Sequence, residues 1–180
     1  MLISLSDSDR TRDFGDEICA ISCRPLDLTK NFTTLIVVSF WGSNRVAVLS
    51  VGSNAEVLGT VHETTLSALP RSVLLHNFGK GTGPSDPDFR LHLLVGLADG
   101  TIVTYTVRDK ELHDRKQSSL GNAPVSLSVC DVDGRTVVVA SGTRANVLFW
   151  DKQRVRPSPT SLKVHLQTLS GRMSIADQYT

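Results

Sequence analysis

Apolar positions along this chain almost nowhere recur with the period of 3.6 residues expected of a helix face. They come in short runs rich in Val, Ile, Leu and Thr, broken by Gly, Asn, Asp and Ser, which is the pattern of strands joined by tight turns. The clearest runs are Ile18–Cys23, Leu35–Phe40, Arg45–Ser50, Val57–Val61, Arg71–His76, Leu91–Leu97, Thr101–Val107, Leu112–Ser118, Val125–Val129, Thr136–Ala140 and Asn146–Trp150. They predict about eleven strands. Gly42-Ser-Asn44, Ala98-Asp-Gly100 and Gly142-Thr-Arg144 sit between pairs of runs, where Gly, Asn and Asp supply the backbone conformations of hairpin turns.

The runs repeat as a unit: an opening strand, a loop, an apolar strand, a tight turn, an alternating strand and a more polar strand. Openers near positions 18, 71 and 125 give spacings of 53 and 54 residues. The third unit completes itself with a fourth strand expected in Leu162–Leu166. A four-stranded unit repeating every ~40–55 residues is the signature of a β-propeller blade. The second strand of each unit is apolar nearly throughout (Leu35-Ile-Val-Val38, Leu93-Leu-Val95, Val137-Val-Val139), as a strand packed between neighbouring blades should be. The fourth is short and polar, as suits an outer edge. The expectation is an all-β fold: about three four-stranded antiparallel blades of an incomplete β-propeller, spanning about 17–61, 70–120 and 124–166. A sandwich of eight to ten strands is the structural alternative. Residues 1–12 are expected to be poorly ordered, 13–166 to form the partial propeller and 167–180 to be an irregular tail. Closed propellers have about four to eight blades, so three imply a segment of a larger propeller, a truncated product or part of an assembly. Gly79–Phe89 reads as a mobile surface loop, and Arg154-Val-Arg-Pro-Ser-Pro159 as a break in structure.

Composition changes this picture little. With 40% hydrophobic and 21% charged residues the chain is ordinary for a globular protein. A net charge of +1 gives no general field for nucleic acid or anionic membrane. No apolar run approaches the ~18 residues of a membrane span. The start lacks a basic segment and turns acidic at once, unlike a secretory signal, so a cytosolic or nuclear location is expected. Cys19, Cys23 and Cys130 are too few for a disulfide framework, and Cys19 and Cys23, about 13 Å apart along a strand, are too distant to bridge. Buried free thiols are expected.

No motif carries catalytic chemistry. Gly79-Lys-Gly-Thr-Gly83 lacks the spacing of a phosphate loop and runs into Pro84 and Pro87. Asp131-Val-Asp-Gly134 has Thr136 and Gly142 where a calcium loop needs Gly and Glu, so it reads as a hairpin turn. His62, His76, His92, His113 and His165 show no metal-ligand spacing, and Asp86 and Asp88 fall in the loop expected to move. The charge-dense stretch Arg108–Lys116 reads as a solvated connection, and Trp150 of the Trp150-Asp151 dipeptide as packing against a neighbouring blade. No cofactor and no metal are expected.

Several residues in order carry a resemblance: Glu17-Ile-Cys-Ala-Ile with Pro25-Leu26, Phe40-Trp41, Pro70-Arg-Ser-Val-Leu74, Leu97-Ala-Asp-Gly100 with Tyr105, Asp114-Arg-Lys116 leading to Leu120-Gly and Pro124, and Arg144 ahead of Val147. From roughly Asp13 to Lys163 the chain resembles the middle propeller of the triple-propeller family of the large damage-specific DNA-binding subunit. These are adaptors of cullin-RING ubiquitin ligases, related to the large subunits of cleavage-and-polyadenylation and splicing factors. The resemblance implies a non-enzymatic protein-interaction scaffold in the DNA damage response and protein ubiquitination, with the nucleus as its first expected location and the cytoplasm as the second. It implies a cullin as partner, substrate receptors reached through propellers this sequence lacks, nucleic acid met only indirectly, and no membrane. Two family cullin-contact positions align with Glu17 and Trp41. Antiparallel strands bring the start of Ile18–Cys23 and the end of Leu35–Phe40 to one edge, so the two can share a patch. The plain alternative is that Trp41 caps its own blade and Glu17 is a surface charge. Competing functions are a propeller segment of RNA-processing machinery, an enzyme built on the short turns, and a truncated product without function.

Overall fold

A computed structural model describes residues 13–53, 57–132 and 135–162. They form twelve strands: β1 (Ile18–Ser22), β2 (Leu35–Phe40), β3 (Arg45–Val51), β4 (Val57–Thr65), β5 (Pro70–Asn77), β6 (Leu91–Leu97), β7 (Thr101–Arg108), β8 (Glu111–Ser119), β9 (Ser126–Val132), β10 (Arg135–Ser141), β11 (Ala145–Asp151) and β12 (Arg154–Leu162). These make three four-stranded sheets in sequence order, β1 to β4, β5 to β8 and β9 to β12, and every neighbouring pair is antiparallel. The sheets are three successive blades of a β-propeller. The strands Leu35–Phe40 and Leu91–Leu97 lie in different sheets rather than one continuous ladder, and three separate sheets in place of two exclude the sandwich.

The apolar pattern explains the stacking. All seven residues of β6 are buried, because its sheet lies between the other two. Leu35, Val37, Val46 and Val48 of the first blade interlock with Val73, Leu75, Leu93, Val95, Val103 and Tyr105 of the second. Leu74, Leu94 and Ile102 point the other way and meet Val125, Val138, Ala140, Leu148 and Val155 of the third. Burying a side chain of this size contributes about 1.5–3 kcal/mol, so these two seams hold the blades together.

Polar ties reinforce the seams with the same period as the sequence. The Leu75 amide donates to Ser22 Oγ at 2.9 Å, and Ser72 Oγ donates to the Val125 carbonyl at 2.8 Å. Each tie spans 53 residues. At the second seam the backbones come so close that a Cβ on Gly96 would stand 2.4 Å from the Val125 oxygen, which is why the otherwise apolar β6 carries a glycine.

Three expectations need correction. Residues 154–159 do not break structure. They belong to β12, which pairs with β11 from Asp151↔Arg154 through Leu148↔Pro157. β12 is an edge strand, where proline costs no ladder bond on its open side. Of the strand expected in Leu162–Leu166, residues 163–166 lie outside the described residues, as do 1–12 and 167–180. Second, Gly79–Phe89 is internally bonded rather than an open coil. Asn77 Oδ1 accepts from the Gly79 and Arg90 amides at 2.9 and 2.8 Å, and its Nδ2 donates to the Gly81 carbonyl at 2.8 Å. The Gly81 amide donates to the Asp88 carbonyl at 3.1 Å, so these glycine amides serve the loop itself. Third, the thiols are free but not buried: Cys23 is exposed, and Cys19 and Cys130 are partly so. The turn at Asp131–Gly134 falls partly outside the described residues, since 133–134 are not among them; the flanking pair Val132↔Arg135 is in register.

Candidate partner-binding surface

The edge of the first blade where β1 starts and β2 ends is built by one aspartate. Asp16 Oδ1 accepts from the Glu17 amide at 2.8 Å and the Gly42 amide at 3.0 Å, while Oδ2 accepts from Ser43 Oγ at 2.7 Å. The Arg45 guanidinium lies 3.8 Å from the same carboxylate. The Ser43 hydroxyl foremost, then the two amides and Arg45, hold the Asp16 carboxyl below its ordinary value, against partial burial, which pushes it up. Gly42 is required beside it, because a Cβ there would meet Asp16 Oδ1 at 2.6 Å. This clamp fixes the turn between β2 and β3 to the start of β1.

The clamp brings the two expected site residues together. The Trp41 amide donates to the Glu17 carbonyl at 2.8 Å, so the two are directly bonded across the edge. Glu17 is exposed. Trp41 leaves 43% of its surface in solvent and belongs to none of the apolar clusters of the blades. Its ring stacks under the guanidinium of Arg71, 4.1 Å from the ring centre. Arg71 lies in β5, so the stack bridges the first and second blades. The residues after the second strands of the other two blades are Ala98 and Gly142, so the aromatic is not part of the repeat.

Sequence reasoning missed Asp16, Ser43 and Arg71. The period was the available signal for Arg71: it stands 53 residues after Ile18 and therefore on the next blade's first strand, beside the edge that carries Trp41.

The histidines are also less scattered than their spacing suggests. His76 and His92 are cross-strand partners on β5 and β6, both buried. Phe78 lies edge-on to both, and the Trp150 ring of the third blade packs tilted against His92, 4.8 Å between ring centres, which bears out the packing expected of that tryptophan. Burial above all, with Arg24 and His92 adding to it, lowers the His76 pKa to about 4. Burial likewise lowers that of His92, opposed by its bond to the Arg90 carbonyl. These are neutral rings in a blade seam. Among the described residues no three His, Cys, Asp or Glu side chains are grouped to hold a metal ion.

Comparison with known proteins agrees with this architecture. Residues 4–171 match the RSE1/DDB1/CPSF1 second beta-propeller family. DNA damage-binding protein 1 of Oryza sativa subsp. japonica is 30% identical over 151 residues, covering 82% of this chain and 13% of that protein. DNA damage-binding protein 1a of Arabidopsis thaliana is 27% identical over 149 residues, and the Solanum lycopersicum protein 26% over 151, each with the same 82% and 13% coverage. The chain thus spans about 13% of the length of these relatives. With twelve strands in three blades and a match across nearly its whole length, this chain belongs to the RSE1/DDB1/CPSF1 second beta-propeller family.

Proposed function

We propose that this chain is a non-enzymatic docking platform of a cullin-RING ligase adaptor, with Glu17 and Trp41 at the contact with the cullin's N-terminal region. One observation carries the reading: a half-exposed tryptophan on a turn clamped by Asp16, at a position where the sibling blades hold Ala98 and Gly142. Large aromatics on rigid supports are the residues that dominate protein interfaces, and truncating one costs ~2 kcal/mol or more. The naming of the relatives for DNA damage binding supports a role in the damage response, and the same reading takes ubiquitination as its output and the nucleus as its site. Damaged DNA is met through partners, in keeping with a net charge of +1.

The test is a binding titration of the 180-residue chain with a cullin N-terminal region. Trp41→Ala is expected to weaken binding ~30-fold, the equivalent of about 2 kcal/mol. Glu17→Ala is expected to weaken it less. Unchanged affinity in Trp41→Ala removes the residue from the contact. The family model also covers propellers named for RSE1 and CPSF1, which supports a second reading as a scaffold in RNA splicing or mRNA cleavage and polyadenylation. Co-precipitation of splicing or cleavage factors in place of a cullin selects it.

A further inference from the structure

We propose that Arg71 forms, with Trp41, a two-part recognition element across the first and second blades, and that it reads a carboxylate set beside a large apolar side chain on the partner. The inference rests on the docking role of Trp41 and adds the chemistry of what docks. A guanidinium held over an indole face by cation–π attraction keeps its N–H donors unspent, because the ring offers them no oxygen acceptor. Two other arginines that lie over aromatic rings spend those donors internally, Arg45 on Glu63 at 2.9 Å and Arg90 on Asp88 at 3.0 Å. Arg71 is exposed, and no carboxylate of the described residues lies within ion-pair distance of it.

The surroundings supply the apolar half. Ile18, Trp41 and Leu69 are each more than a third exposed, and all three sit at the same end of the first two blades. The backbone there is fixed. The Cys19 thiol lies 3.8 Å from the Arg71 carbonyl, and the Ala98 amide donates to the Leu69 carbonyl at 2.9 Å. A rigid apolar floor with one stacked, unspent guanidinium is complementary to a segment, such as one helix face, presenting Leu or Phe one turn away from Asp or Glu. A carboxylate accepts two parallel bonds from the guanidinium rim, which an ammonium cannot offer.

The test compares Arg71→Ala, Arg71→Lys and Arg71→Glu with Trp41→Ala in the 180-residue chain, titrated with a cullin N-terminal region at low and high salt. Arg71→Ala is expected to lose about tenfold in affinity and Arg71→Glu about a hundredfold, with salt weakening the wild type more than Arg71→Ala. Arg71→Lys, which keeps the charge and is expected to keep the fold, should recover only part of the loss. Exchanging the partner's contacting acid for Lys should restore binding to Arg71→Glu. Wild-type affinity in Arg71→Lys and Arg71→Glu, with Trp41→Ala impaired, overturns the role of Arg71 and leaves the anchor standing. Wild-type affinity in Trp41→Ala overturns the docking site itself. Should Arg71→Glu fail to fold, full affinity and unchanged salt dependence in Arg71→Lys still overturn the proposal.

Discussion

At the scale of single residues the docking edge depends on Asp16, whose carboxylate collects two amides, a hydroxyl and the approach of a guanidinium. All of these interactions favour the ionised form, so the folded carboxyl titrates below its unfolded value of 3.8. The clamp is therefore fully present above pH 3.8 and is lost as pH falls through the lower folded value. Asp16→Ala is expected to free the Gly42-Ser43 turn and lower partner affinity several-fold while the sheets stay folded. Partner titration beside far-ultraviolet circular dichroism checks this, and wild-type affinity with an intact fold would contradict it. Asp16 was not legible in the sequence as a site residue, and Arg71 was so only through the blade period. Their roles come from contacts between strands and between blades, which no local motif encodes. Glu17 and Trp41 were named from a family resemblance, and the geometry brings them together through one backbone bond.

At the scale of elements most strands were visible as apolar runs, because propeller blades bury their second and third strands heavily. The strand that escaped, β12, shows what hides an element. It carries Pro157 and Pro159, and it follows a turn at Lys152 and Gln153 with φ of 46° and 64°. That two-residue turn uses the left-handed conformations that Asn and Gly usually signal, and Lys and Gln give no such cue. The same turn type at Asp109 and Lys110 was bridged only because the flanking strands were strongly patterned.

The seam between the second and third blades has a pH dependence of its own. His76 is lowered to about 4, and His92 is lowered too, so the unfolded chain takes up protons near pH 6.5 that the folded chain refuses. Stability is full above pH 6.5 and declines as pH falls through the folded values, toward about 4 for His76. Arg24 faces His76. Lys116 and Arg108 oppose protonation of His92, while Asp114 and the Arg90 carbonyl favour it. Urea unfolding at pH 7, 5.5 and 4.5 should show the decline, and the double substitution His76→Gln and His92→Gln should flatten it. An equal slope in both proteins would place the acid sensitivity elsewhere.

At the scale of the molecule, a 53-residue translation in sequence becomes a rotation in space: β5 lies against β1 and β2, and β9 against β5 and β6, so that the first strands gather toward a hub. This placement puts the Trp41 turn of one blade beside the Arg71 strand of the next. The middle blade is the only one of the three with a described sheet on both faces. Amide hydrogen exchange read by mass spectrometry tests that arrangement most directly. The account predicts that Leu91–Leu97 exchanges slowest and the outer strand Glu111–Ser119 of the same sheet far faster. Equal exchange in those two segments would contradict three stacked blades, and with them the surface assigned to the partner.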